Sequence, residues 1–202
     1  MIRLAIAFFA LLLVGCVAVQ PISDAERRKV SSVVINEQLS KVPTIYYLGG
    51  MGGLMFGAVG AAAGAQSMED SRKSFQAFVE KSGISIDRIV LEEMTAAIQR
   101  SGKFPLAARP EPGGAAIDIF IAQYGFSIPH GFSSKLVPIV SIRCEMKDAA
   151  GKVIWSARDF TTTLGNPVEA VEPEAIRNDP KVMEAAWRAA AKHLAAAIVS
   201  GY

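Results

Sequence analysis

The sequence predicts an α/β (α+β) domain, in which a mainly antiparallel sheet of about four strands carries helices on one face, with a glycine-rich apolar insert. Three patterns in the 202 residues carry this prediction. Apolar and polar residues alternate with period two over 116–126, 137–148 and 153–162, as in half-buried strands. Apolar stripes of helical period follow the capping residues Ser85 and Asp179. Between 45 and 65 the chain has no charged residue and is built mainly of glycine, alanine and large apolar residues. Strands and helices grouped in this way predict a layered sheet-and-helix architecture.

In chain order, 17–24 reads as a short tether and the β-branched stretch 29–36 as a first strand. Residues 67–82 turn polar, with Phe75, Phe78 and Val79 at helical spacing and Gly83 as the stop. Ser85 caps the next helix. Ile86, Ile89, Val90, Ala97 and Ile98 form its apolar stripe, and Gly102 ends it. Residues 103–114, rich in proline and glycine, form a loop. In the strand 116–126, Ile117, Ile119 and Ile121 face one way, and Asp118, Phe120, Ala122 and Tyr124 the other. His130 lies in the loop 127–135. The turn Asp148-Ala149-Ala150-Gly151-Lys152 has glycine where a positive φ is often required, and it joins 137–148 to an antiparallel partner, 153–162. Residues 166–178 are a loop or short helix. Asp179-Pro180 is a cap followed by proline at the first helical position. In the alanine-rich helix that follows, Trp187, Ala190, Ala191, Leu194 and Ile198 share a side.

The first sixteen residues have their own logic. Met1-Ile2-Arg3 is followed by an unbroken apolar run to Val14, then Gly15 and Cys16. A basic start, a short apolar stretch and small residues at the cut describe a secretory signal. The run is well short of the roughly 20 residues that span a bilayer. Leu13-Val14-Gly15-Cys16 resembles the lipobox of bacterial lipoproteins. The resemblance implies cleavage before Cys16, a diacylglycerol on its sulfur and an acyl chain (commonly palmitate) on its amine. Two or three chains anchor a protein stably where one is marginal. Val17 stands where, by the sorting rule of that family, aspartate would retain the protein in the inner membrane. The expected location is therefore the outer membrane, facing the periplasm. The domain plan is a signal peptide at 1–15, a lipidated tether at 16–28 and one α/β domain at 29–202, with the insert at 45–66.

Roughly 185 residues remain after the signal, enough for one domain with a real core. The formal net charge is +2 and falls by one when Arg3 is removed. Scattered Lys and Arg at this balance do not make a nucleic-acid footprint. Arg27-Arg28-Lys29 is the one basic cluster. It reads as the solvated start of a strand, or as a contact for anionic headgroups. With Cys16 lipidated, Cys144 has no partner. It falls on one strand face with Val140, Ile142 and Met146, so it reads as an inert core thiol.

The insert carries a stripe. At 100° per residue, Gly49, Gly53, Gly57, Gly60 and Gly64 fall within about 80° of one helix face. Such a glycine zipper lets backbones approach closely. Three readings stay open: internal packing, self-association of copies, and membrane insertion. A helix over 45–65 would be roughly 31 Å long, close to the ~30 Å hydrocarbon core. Its seven glycines would cost about 7 kcal/mol of helix propensity against alanine.

Signatures of chemistry are sparse. The glycine run lacks the Gly-Lys-Ser/Thr ending of a phosphate loop, with Lys73 far downstream. It lacks the dinucleotide fingerprint, because Met55 stands where the third glycine belongs. With two histidines, His130 and His193, and no Cys-x-x-Cys or His-Glu-x-x-His, a zinc site has no support. His130 with Ser133 or Ser134 could pair as base and nucleophile, but the loop lacks the second glycine of a nucleophile elbow. Pro129-His130-Gly131 reads as a turn.

The segment Ala115-Ala116-Ile117-Asp118-Ile119-Phe120-Ile121, with the hairpin from Asp148 to Trp155 and the Asp179-Pro180 helix start, resembles small envelope lipoproteins. These include the auxiliary lipoproteins of ABC-type lipid transport, similar in fold to the N-terminal domain of TolB. The resemblance covers 85–199, and the glycine insert has no counterpart in it. It implies a non-enzymatic binding or assembly module of the envelope, without cofactor or metal. An open sheet edge offers a way to take up a partner strand. The alternative is a self-associating or membrane-inserting lipoprotein driven by the glycine stripe.

Overall fold

A computed structural model describes residues 18–48, 68–130 and 133–201. Cys16 and the stripe glycines Gly49, Gly53, Gly57, Gly60 and Gly64 lie outside the described residues. The described chain is the predicted α+β fold. Its strands are β1 (Ala18–Gln20), β2 (Val33–Ile35), β3 (Ser40–Lys41), β4 (Tyr46–Leu48), β5 (Ala115–Ser127), β6 (Val137–Lys147) and β7 (Val153–Phe160). Its helices are α1 (Asp24–Arg27), α2 (Met68–Ser82), α3 (Ile86–Ser101), α4 (Pro173–Asn178) and α5 (Pro180–Ser200).

Four strands form an antiparallel series, β1-β7-β6-β5. The three remaining strands all pair, in parallel, with the outer edge of β5. They follow one another along it: Val33 opposite Ala115, Ser40 opposite Phe120, Leu48 opposite Ser127. The strand count thus exceeds the expected four, because runs of two or three residues carry no readable period. The expected strand over 29–36 shrinks to Val33–Ile35. The N–H groups of Lys29 and Val30 close the turn after α1 instead, onto the carbonyls of Glu26 and Arg27. The stretch read as a tether also belongs to the domain, contributing β1 and α1.

The helix signals hold. The Ser85 hydroxyl accepts from the Arg88 N–H at 3.3 Å, and Gly102 closes α3 at φ +60°. Asp179 accepts from the Lys181 N–H at 3.0 Å, with Pro180 opening α5. Gly83 and Gly151 take positive φ, as their turns require. α3 and α5 pack on each other and on the sheet, and the buried alanines 186, 190, 191 and 195 let α5 come close. On their outer side, Arg188 bonds Glu92 at 2.7 Å and Glu93 at 3.1 Å, pinning α5 to α3. Those carboxylates raise the pKa of the guanidinium.

One side-chain prediction on β5 is overturned. Tyr124, expected to face away from Ile121, is buried, 7% exposed. The pairing with β6 skips a residue between Ile121 and Gln123. This bulge at Ala122 inverts the alternation, so Tyr124 and Phe126 turn inward. There they meet Trp187 of α5, with ring centroids 6.1 and 5.7 Å away. Phe75 of α2 extends the cluster to Phe126 at 5.9 Å and to Tyr47 of β4 at 4.7 Å.

Gly125 lies at the centre of this cluster. Its carbonyl accepts from the Trp187 indole N–H at 3.1 Å. Its φ is +145°, and a Cβ there would lie 1.7 Å from the Tyr46 carbonyl oxygen. No side chain fits without moving β4 off β5. Gly125→Ala is expected to destabilise the protein by more than about 3 kcal/mol, read as the shift in urea midpoint. Trp187→Phe keeps most of the ring and loses the bond, for an expected cost of about 1–3 kcal/mol.

Candidate functional site

Because the helices cover one face, the opposite face of β5, β6 and β7 stays open to solvent, as antiparallel sheets permit. Strand alternation decides what it displays. Ile117, Ile119, Ile142, Cys144 and Met146 point into the core. Their neighbours Asp118, Phe120, Arg143, Glu145 and Lys147 point outward.

The register sets these side chains in rows. Phe120 stands opposite Arg143, and Arg143 opposite Arg158. The Arg143 guanidinium lies 5.3 Å from the Phe120 ring centroid, a cation–π arrangement. It also approaches Glu145, at 3.7 Å. Arg158 is exposed and has no ion-pair partner among the described residues. Like charges directly opposite one another destabilise a sheet. One row further along, Asp118 is opposite Glu145, and the pair is relieved by Lys147, which reaches Asp118 at 2.7 Å and Glu145 at 3.9 Å. Asn36 also donates to Asp118. The Lys147 bond, then Asn36, hold the Asp118 carboxyl below its usual pKa range against a desolvation that opposes them. Gln38, Ser40, Phe120 and Arg143 help line a shallow pocket of about 280 Å³ here. Phe160 continues the face, 51% exposed.

A second concavity, about 540 Å³, lies where β4 meets the start of α2. Val42, Tyr46, Leu48 and Met68 give it apolar walls, and Arg72 stands at its edge. Arg72 is bound to Glu69 at 2.5 Å. A third, about 460 Å³, lies between α1 and the β6–β7 turn, beside an ion pair between Lys152 and Glu26. It contains Lys29, so the cluster Arg27-Arg28-Lys29 sits at the turn end of the sheet. That is the end away from which β1 runs back towards Cys16, because Ala18 pairs with Arg158 and Gln20 with Ser156.

The candidate catalytic residues are not assembled. His130 and His193 are both exposed and lie in separate elements. The Ser133 N–H donates to the His130 carbonyl at 3.0 Å, and the Ser133 hydroxyl accepts from the Lys135 N–H at 3.1 Å. Both bonds belong to a turn. No hydrogen bond joins the His130 ring to Ser133 or Ser134 among the described residues. Nor do the described residues hold a metal-type cluster of His, Cys, Asp or Glu. No described helix is long and apolar enough to cross a membrane. Sequence reasoning missed the Arg143–Arg158 row, because only the register sets the two side by side.

No family model and no curated protein matches this chain. Among solved structures, a PelC dodecamer from Paraburkholderia phytofirmans aligns with 92% of this chain and 95% of its own at 12% identity, with a TM-score of 0.39. Protein XCC0632 from Xanthomonas campestris, of family DUF330, aligns with 85% of this chain and 86% of its own at 11% identity, with a TM-score of 0.44. Neither assigns a role to a residue of this chain.

Two measurements test the site. Burial pushes the Cys144 thiol pKa up to about 12, so a thiol reagent at pH 8 should leave folded protein unmodified at Cys144 and react fully in urea. Because Asp118 is depressed in the folded state, its contribution is present above its unfolded pKa near ~4 and is lost as pH falls through the lower folded value. The urea midpoint of Asp118→Asn should therefore fall less steeply than that of the parent below about pH 4. The difference should be small, because both partners are more than a third exposed.

Proposed function

We propose that this chain is a non-enzymatic lipoprotein of the bacterial outer membrane, anchored through lipid on Cys16, whose domain docks an envelope protein. The observation that carries the docking role is the open sheet face. Two arginines stand opposite each other on it, one of them without an ion-pair partner among the described residues, beside the partly buried Phe120. Arginine and aromatic side chains are the residues enriched where binding energy concentrates. A like-charge pair kept at a cost in stability gains from an acidic partner. The anchor reading is supported by Leu13-Val14-Gly15-Cys16.

The docking mode moves from edge to face. Among the described residues, β2, β3 and β4 follow one another along the outer edge of β5, and β1 covers Ser156–Arg158 of β7. These short strands break the edge into stretches of a few residues, which template a partner strand poorly. The face, by contrast, is continuous across β5, β6 and β7.

A second reading rests on its own observation. The segment carrying Gly49, Gly53, Gly57, Gly60 and Gly64 joins Leu48 to Met68, two of the exposed large apolar side chains. It supports self-association or membrane insertion through the insert. Gly57→Leu with Gly60→Leu should abolish oligomers if copies pack there, and an unchanged mass in detergent would reject this reading.

The main reading makes two predictions. Palmitate labelling should be lost in Cys16→Ala, and the protein should then fractionate with the soluble periplasm. Arg143→Glu with Arg158→Glu should cut recovery of crosslinked envelope partners by about thirtyfold or more, the equivalent of one hot-spot loss. Recovery equal to the parent would dismiss the face as the docking surface.

A further inference from the structure

We infer that the protein docked on the open face presents an extended segment with one acidic side chain seated over Arg143 and Arg158, and an apolar side chain two residues away seated against Phe160. This inference rests on the docking role proposed for the face and names the chemistry of the docked segment.

Three successive rows of the face, fixed by the register, differ in charge. In the first, Asp118 stands opposite Glu145, and Glu145 opposite Ser156. In the second, Phe120 stands opposite Arg143, and Arg143 opposite Arg158. In the third, Gln123 stands opposite Ser141, and Ser141 opposite Phe160. The order along the strands is therefore acidic, basic, then neutral with an exposed ring. Residues two apart on a strand share a face and lie about 7 Å apart, which sets the spacing of the rows.

The middle row accepts an anion. Arg158 is exposed and has no ion-pair partner among the described residues. Arg143 reaches Glu145 only at 3.7 Å, longer than a charge-assisted hydrogen bond, and its side chain is 54% exposed. Its guanidinium therefore keeps donors for a second carboxylate. A carboxylate shared by the two guanidinium groups offsets the repulsion between them.

The flanking rows decide how the segment lies. Asp118 and Glu145 are bridged by Lys147, at 2.7 and 3.9 Å. One ammonium between two carboxylates leaves that row unfavourable for further negative charge. On the other flank Gln123, Ser141 and Phe160 carry no charge, and Phe160 is 51% exposed. A segment whose acid sits on the arginines thus continues over Phe160. In an extended chain every second side chain falls on one face, with the same ~7 Å spacing as Arg158 and Phe160 on β7. A surface anionic throughout, such as lipid headgroups or a charged glycan, would lay charge over Asp118 and Glu145 as well. The three rows fit a protein segment with a single acid.

The test uses the full-length chain in bacterial cells, with p-benzoylphenylalanine in place of Phe160 to crosslink whatever covers the ring. Mass spectrometry should find Asp or Glu two residues from the point of attachment in the captured peptide. Arg158→Glu should lower the crosslinked yield by about tenfold or more. Exchanging the partner's acid for Lys should restore it in Arg158→Glu and abolish it with the parent. Glu145→Gln, which removes a repelling neighbour, should raise the yield. A captured peptide without that acid, no restoration by the exchanged pair, or a lower yield in Glu145→Gln would overturn the acidic segment. The docking role would survive such a result if Arg143→Glu with Arg158→Glu still lost the partner. Crosslinks to lipid, to glycan or to a second copy would overturn the inference too. Absence of any crosslink at 160 would also overturn it, and would take the docking role with it if the double variant recovered partners as the parent does.

Discussion

The fold depends on one close approach of backbone to backbone. At Gly125 the β5 chain meets Tyr46 of β4 with no room for a Cβ, while its carbonyl receives the indole N–H of Trp187. Three elements far apart in sequence are joined at that residue: the edge strand β4, the central strand β5 and the last helix. The bulge at Ala122 makes it possible, because it turns Tyr124 and Phe126 inward to pack on Trp187. Aromatic pairs of this kind contribute about 0.5–1.5 kcal/mol each beyond the area they bury. The hydrogen bond adds direction, since an indole N–H enclosed in a core needs an acceptor in one place.

Building the core on one side of the sheet leaves the other side free. α3 and α5 bury the row from Ile117 to Met146, and the alternation of the same strands sets Asp118, Phe120, Arg143, Glu145 and Lys147 in solvent. Most of that charge is compensated locally, with Lys147 between two carboxylates and Arg143 beside Glu145. Arg158 is the exception, and it faces Arg143 directly. Two guanidinium groups across one ladder repel each other, and the proposed docking role rests on that repulsion.

The two ends of the sheet differ as much as its two faces. Leu48 and Leu164 are exposed at the end where β5 finishes, and a hydrogen-bonded polar turn occupies the other.

Local signals were legible from the residues alone. Ser85 and Asp179 as caps, Gly83 and Gly102 as stops, the core face of α5, the inert Cys144 and the alternation of β5, β6 and β7 all follow from neighbours a few positions apart. Periodicity and capping are local physics, so one chain suffices to read them. The lipobox-like end and the glycine stripe are equally local, and they lie outside the described residues. Tertiary structure alone decided the rest. The strands β1 to β4 are too short to show a period and exist because β5 and β7 offer edges to pair with. Tyr124 turned inward because of a one-residue bulge that no alternation announces. The Arg143–Arg158 row and the place of Lys29 beside the β6–β7 turn arise from register. In the β6–β7 hairpin the turn sets the register, whereas the pairing of β2, β3 and β4 with β5 depends on contacts between residues about eighty positions apart.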